Sequence, residues 1–119
     1  MTLKKVSDRD CLFCNFANGE IPVPKIYSSD LVFAIADIAP QAPVHILIIP
    51  VGHAENAAEL AEVDSRALSE LFAVAKAIAH ERQLTGYRLV FNTGESAGQS
   101  VFHAHLHLLG GRSFAWPPG

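Results

Sequence analysis

Near the C-terminus, in "QSVFHAHLHLLGG", three histidines stand at every second position: His103, His105 and His107. They are half of the six histidines in the chain. Neutral imidazole can act as nucleophile, proton carrier or metal ligand at pH 7. On a strand, residues two apart share a face, so the three would project together while Ala104, Leu106 and Leu108 turn into the core. A solvated sheet face would carry Lys, Glu and Thr rather than imidazoles. A metal site can use one end of the row but not all of it. Same-face neighbours lie roughly 6–7 Å apart along a strand, whereas Zn–N bonds are about 2.0–2.1 Å. The third chemistry is at phosphorus, where a neutral imidazole attacks and forms a covalent phosphoryl- or nucleotidyl-histidine. The adjoining loop "SAGQS" offers glycine-flanked N–H donors, the Gln99 amide and the Ser100 hydroxyl, parts that a developing oxyanion needs. Donors and nucleophile joined in sequence favour this third reading.

The elements that hold the row follow from periodicity. "VFHAHLHLLG" is expected to be the last strand, entered from the Gly-rich loop "TGESAGQS" and preceded by the strand "YRLVFN". "HILIIP" is an unbroken apolar run, as in a strand buried on both faces. "KIYSSDLVFAIAD" predicts two short strands about an "SSD" turn, and the two prolines of "DIAPQAPVH" predict a loop. From Asp64, an N-cap, to about Leu84, the residues Leu68, Leu71, Phe72, Ala75, Ile78 and Ala79 recur at helical steps. They predict one long helix ended by Thr85 and Gly86, with His80 on its polar side. "CLFCNFANGEIP" fits a short helix carrying Leu12, Phe13 and Phe16, stopped by Gly19 and turned by Pro22. "VGHAENAAEL" opens with a turn and has room for a helical turn. Strands in runs with one long helix between them indicate an α+β fold with a mostly antiparallel sheet. A single domain over residues 1–119 is expected, with a flexible N-terminus over about 1–8 and a tail over 111–119.

A chain of 119 residues, half of them hydrophobic, can bury a core without staples. A net charge of −3 argues against a nucleic-acid surface, which needs concentrated basic residues, but leaves room for one small phosphorylated ligand. No apolar run reaches the length of a membrane span, and "MTLKKVSDRDCLF" lacks the apolar core of a secretory signal. A soluble cytoplasmic protein is the expectation. The two cysteines, Cys11 and Cys14, form a C-x-x-C pair, which in that compartment reads as a metal half-site or a redox pair.

"HAHLHLL" fits His-x-His-x-His-x-x, the signature of the histidine-triad (HIT) nucleotide-binding family. The wider string "GQSVFHAHLHLLGGRSFAWPPG" resembles the Hint branch, the purine nucleoside phosphoramidases, and "GEIP", "DIAPQAPVHILIIP" and "FNTG" extend the likeness over nearly the whole chain. The resemblance implies a five-stranded, mostly antiparallel sheet with one long and one short helix, and two such sheets joined across a homodimer. It implies that His105 is the nucleophile on the α-phosphorus of an AMP-type substrate, that His107 contacts the phosphate, and that His45 stands behind it in an imidazole chain. Ser100 and Gln99 would sit by the leaving group, Asn92 and the Gly98 backbone by the phosphate, and Asp37 by the ribose hydroxyls. Leu12, Phe13, Phe16, Ile21, Ile35 and Ile38 would wall the purine slot, and Trp116 would reach the partner's site. The cycle would release AMP from a purine phosphoramidate and would need no metal. A dinucleoside polyphosphate hydrolase and a regulatory nucleotide-binding module are the alternatives.

Cys11 and Cys14 depart from the animal-type Hint pattern and resemble the bacterial HIT pattern, in which C-x-x-C belongs to a structural zinc site. The resemblance supplies the other two ligands as His53, from "PVGH", and His103. One end of the histidine row would then serve zinc and the other phosphate. A redox C-x-x-C would be expected at a helix start in a βαβ setting, and two buried thiols without metal are the third possibility.

Overall fold

The computed structural model describes residues 10–119, so the expected flexible N-terminus lies outside the described residues. In chain order these residues form α1 (Leu12–Ala17), β1 (Tyr27–Ser28), β2 (Val32–Ala36), β3 (Val44–Pro50), α2 (Ala57–Val63), α3 (Ser65–Glu81), β4 (Tyr87–Val90) and β5 (Leu106–Gly110). The strands make one antiparallel sheet in the order β1-β2-β3-β5-β4. The α+β class and the five-stranded antiparallel sheet are as expected.

The central strands alternate between two cores, because successive side chains of a strand point to opposite faces. On one face Val32, Ala34, Ile46, Ile48, Leu106 and Leu108 pack against Leu71, Val74, Ala75 and Ile78 of α3. On the other, Phe33, Ile35, Leu47 and Ile49 pack against Cys11, Phe13 and Cys14 at α1. This double burial explains the unbroken apolar run of β3. His45 shares the second face with Leu47, and the β3–β5 register sets Leu47 opposite His107. The two histidines are therefore diagonal neighbours on the face that α1 covers.

The long helix starts as expected, with the Asp64 side chain accepting from the Ala67 N–H at 3.1 Å. It ends earlier than Leu84. Arg82 is its C-cap, and Gln83 takes a left-handed φ of 58° that breaks the helical path before Thr85. Phe72 is not a core residue. It is 43 % exposed and meets Phe91 edge-on, while Ala67 and Val74 fill the buried stripe. The "VGHAENAAEL" segment carries a full second short helix, α2, capped by the Asn56 side chain on the Glu59 N–H at 2.9 Å.

The main departure concerns the histidine row. The ladder of β5 begins only at Leu106, so His107 lies on the strand while His103 and His105 precede it. A 2.7 Å hydrogen bond from the Ala104 N–H to the Ala54 carbonyl anchors this approach segment to the turn after β3. Ala104, Leu106 and Leu108 do point into the α3-side core, as the alternation predicts. The tail has no strand or helix, yet it is tied down: Arg88 donates to the Ala115 carbonyl at 3.0 Å, and Arg112 donates to the Gln41 carbonyl at 3.0 Å. Among the described residues, no helix is long and apolar enough to cross a membrane.

Candidate active site and metal centre

The three histidines take three different sets of partners, and each ring's proton can be assigned from the network. The His103 ring is fully buried. Its Nε2–H donates to the Pro50 carbonyl at 2.8 Å, which leaves the Nδ1 lone pair facing Cys11 Sγ at 3.2 Å and Cys14 Sγ at 3.5 Å. His53 Nδ1 closes the group at 3.4 Å from Cys14 Sγ. All four donor atoms lie within 4.8 Å of one another. A tetrahedron with Zn–S of about 2.3 Å and Zn–N of about 2.0 Å has edges of roughly 3.3–3.8 Å, close to the sulfur–nitrogen separations of 3.2, 3.4 and 3.5 Å. Two thiols and two imidazole lone pairs converging on one point make a closed Cys2His2 zinc site, with ligands from α1, the β3–α2 turn and the approach to β5. Cys11 also caps α1, its sulfur accepting from the Cys14 N–H at 3.3 Å. The helix-start placement expected of a redox pair is thus present, without the βαβ setting.

His105 differs. A carbonyl can only accept, so the 2.7 Å contact between His105 Nδ1 and the His103 carbonyl places the proton on Nδ1 and the lone pair on Nε2. The ring is 9 % exposed and meets Phe13 edge-on, with centroids 5.0 Å apart. Burial lowers its pKa, against the opposing pull of the His103 carbonyl and Asp37. It is therefore neutral, as a nucleophile must be.

His107 ends a relay. The Gln41 N–H donates to His45 Nδ1 at 3.0 Å, so His45 carries its proton on Nε2. That proton points to His107 Nδ1 at 2.9 Å, with Asp37 Oδ2 at 3.4 Å. His107 then accepts at Nδ1 and holds its own proton on Nε2, the nitrogen left for the cleft. Burial lowers the His107 pKa to about 4, repulsion from His105 and His45 adds to the fall, and Asp37 opposes it. Asp37, His45 and His107 also have the composition of a metal group. Binding a metal through His45 Nε2 would force the proton onto Nδ1, against the Gln41 N–H, so this cluster is a donor–acceptor chain. Asp37 doubles as a turn residue, its Oδ1 accepting from the Ala39 N–H at 2.8 Å.

His105 and His107 open onto a cleft of about 280 Å³. Leu12, Phe13, Phe16, Ile35, Asp37, Ile38, Gly98 and Ser100 line it. Val23, Leu47 and Val101 line it as well and were missed. Leu47 was findable, since it shares the β3 face with His45; Val23 and Val101 sit in irregular segments with no periodic signal. Ile21 and Trp116 are exposed outside the cleft wall, at 38 % and 83 %. Gln99 is buried and does not line the cleft. Its buried amide donates to the Glu55 and Val101 carbonyls at 2.7 and 3.1 Å and accepts from the Gly94 N–H at 2.9 Å, which closes the loop. The Gly98 and Gln99 N–H groups are likewise committed to loop carbonyls, Glu95 and Gly94. Gly98 supplies conformation instead: at φ 100° a side chain would be strained, and the Asn92 side chain lies at ordinary contact distance, 3.8 Å from where a Cβ would stand. Asn92 thus stands behind Gly98, while Ser100 alone of the loop's polar side chains reaches the cleft.

Fold and site together define a histidine-triad domain, and the family comparison agrees. The HIT domain model matches residues 18–114, and the chain belongs to that family. It is 50 % identical over 111 residues to an uncharacterised HIT-like protein of Synechococcus elongatus, covering 92 % of this chain and 97 % of the other. It is 44 % identical over 121 residues to a 14 kDa zinc-binding protein of Zea mays, covering 98 % and 94 %. The crystal structure of a HIT family hydrolase from Legionella pneumophila superposes with a TM-score of 0.87 at 46 % identity, covering 92 % of this chain and all of that one.

Proposed function

We propose that the protein is a nucleotide hydrolase that cleaves the P–N bond of purine nucleoside 5′-phosphoramidates. The observation that carries this reading is the 2.7 Å bond from His105 Nδ1–H to the His103 carbonyl, which aims the Nε2 lone pair at the cleft. Nε2 attacks the α-phosphorus, the P–N bond to the amine breaks, and a nucleotidyl-histidine forms. The amine leaves with a proton, for which the Ser100 hydroxyl at the cleft wall is the donor. The His107 Nε2–H stabilises a phosphate oxygen, and the chain through His45 to the Gln41 N–H keeps that proton in place. Water then opens the adduct, its hydroxyl going to phosphorus and its proton back to the Ser100 oxygen, and AMP departs. The apolar walls Phe13, Phe16, Ile35 and Ile38 receive the purine, and Asp37 accepts from the ribose hydroxyls. Asn92 supports the phosphate side through Gly98.

Zinc, when bound by Cys11, Cys14, His53 and His103, cross-links three segments of chain and supplies no group to the reacting phosphorus; the kinship with the maize zinc-binding protein supports that metal. Two buried reduced thiols fit the cytoplasm. The open edge of β4, with Tyr87 and Phe72 exposed beside it, fits a homodimer that joins two sheets and brings Trp116 toward the other site. Purified protein should release AMP from an adenosine phosphoramidate faster than it cleaves diadenosine polyphosphates. The reverse preference would move the function to polyphosphate hydrolysis, and a monomer in sedimentation would remove the dimer.

A further inference from the structure

The nucleophile sits on a segment that the sheet does not hold. The ladder of β5 starts at Leu106, and His105 precedes it. The His105 ring meets His107 on the relay side, with centroids 5.0 Å apart, and two further contacts lead back to the metal ligands. The first is the His103 carbonyl, which receives the Nδ1–H at 2.7 Å and so decides which nitrogen keeps its lone pair. The second is Phe13, whose ring meets that of His105 at 85° with centroids 5.0 Å apart and so sets the plane of the imidazole. His103 is a ligand, and Phe13 lies between the ligands Cys11 and Cys14 on α1. Phe13 also stands edge-on to the His103 ring, with centroids 5.9 Å apart.

We propose that the Cys11, Cys14, His53 and His103 cluster is a positioning device for the nucleophile, so that metal occupancy sets the tautomer and ring plane of His105 and, through them, the rate of the chemical step. The inference rests on the nucleotidyl-histidine reading for its kinetic part only.

Metal bonds would join three pieces of chain that are not paired with one another as strands, although α1 also packs on the second core. The approach segment is anchored by the Ala104–Ala54 backbone bond and by the His103 ring on Pro50. Helix α1 is only six residues long, too short to be stable by itself. The sulfurs and imidazoles meet one another at 3.2–3.5 Å, and a thiol is a weaker tie than a metal bond. Coordination fixes both His103 and α1; thiol contacts hold them loosely. A shift in either moves His105 Nε2 relative to the phosphorus, and misplacement of about 1 Å can cost on the order of 100-fold in rate. The cluster is also reachable. Cys11 and His53 line a surface cleft of about 410 Å³ with Asp10 and Glu55 among its walls, so a small chelator has a route in.

The test compares the zinc-loaded chain, the same protein after chelation, and a Cys14→Ser variant. Ring nitrogen signals of His105 would be read by NMR, together with kcat and KM for AMP release. In loaded protein His105 should appear as the pure Nδ1–H tautomer. In both metal-free samples, with far-UV circular dichroism retained, its signals should move toward the tautomer average. There kcat should fall roughly 10–100-fold with KM nearly unchanged, and zinc should restore the chelated sample. Unchanged tautomer signals and kcat in folded metal-free protein would overturn the proposal. So would global unfolding on chelation, which would make the metal a stabiliser of the whole domain. If loaded wild type releases no AMP, the hydrolase reading fails while the NMR arm still decides the proposal.

Discussion

The molecule holds two clusters of similar residues, one at each end of the histidine row, and they behave differently. Around His103, four donor atoms turn their lone pairs toward one point. Around His107, each lone pair faces a proton: the Gln41 N–H meets His45 Nδ1, and His45 Nε2–H meets His107 Nδ1. Convergent lone pairs call for a cation, whereas alternating donors and acceptors make a relay that a cation would disrupt. The backbone partner of the far nitrogen decides between them. Pro50 offers His103 a carbonyl, and Gln41 offers His45 an N–H. Between the clusters His105 borrows from the first, through the His103 carbonyl, and serves the second, through the shared cleft.

That comparison can be broken at either end. The largest effect is expected at the middle: His105→Ala should remove AMP release altogether, by several orders of magnitude, while elemental analysis still finds about one zinc per chain. Next comes His107→Ala, expected to slow turnover roughly 10²–10⁴-fold with metal content unchanged. His45→Ala, one step further back, should cost about 10–100-fold, again without loss of metal. Loss of zinc in either relay variant would show that the two clusters are one.

The acid side sharpens the division. His107 is held down to about 4 by burial first and by His105 and His45 next. A proton on His107 Nδ1 would confront the His45 donor, so turnover should be lost by the time pH has fallen through about 4. The same shift bears on stability. Between about 4 and the ordinary 6.5 the unfolded chain binds more protons at this site than the folded one, so stability rises with pH. The contribution is complete above 6.5 and lost as pH falls through 4; denaturant midpoints at neutral and acid pH would check the sign. The smallest effect is local: Asp64→Ala should cost about 1 kcal/mol by uncapping α3, with kinetics and metal content unchanged.

Much of this was legible in the sequence because it rests on period and residue type. The alternation of Ala104, Leu106 and Leu108, the apolar run of β3 and the Asp64 cap are local signals, and each appears where expected. The C-x-x-C spacing placed two sulfurs on one turn at α1. Partners distant in sequence were not readable in that way. Nothing in "SAGQS" says that Gln99 turns inward to Glu55 and Val101, or that the Gly98 N–H closes a turn on Glu95. Nor does the even His-x-His spacing reveal that pairing begins at Leu106. That depends on where β3 ends, at Pro50, whose carbonyl is taken by the His103 ring rather than by a strand. Phe72 has the spacing of a core residue and the position of a surface one, a difference fixed by how α3 lies on the sheet.

The central claim, that the row is divided into metal ligand, nucleophile and relay, is tested most directly by trapping the adduct. Zinc-loaded protein would be quenched during turnover of an adenosine phosphoramidate, and the peptide containing all three histidines fragmented by mass spectrometry. A nucleotidyl group on His105 alone is the predicted result. A group on His103 or His107, or an unmodified row at steady state while AMP accumulates and His105→Ala remains active, would contradict it.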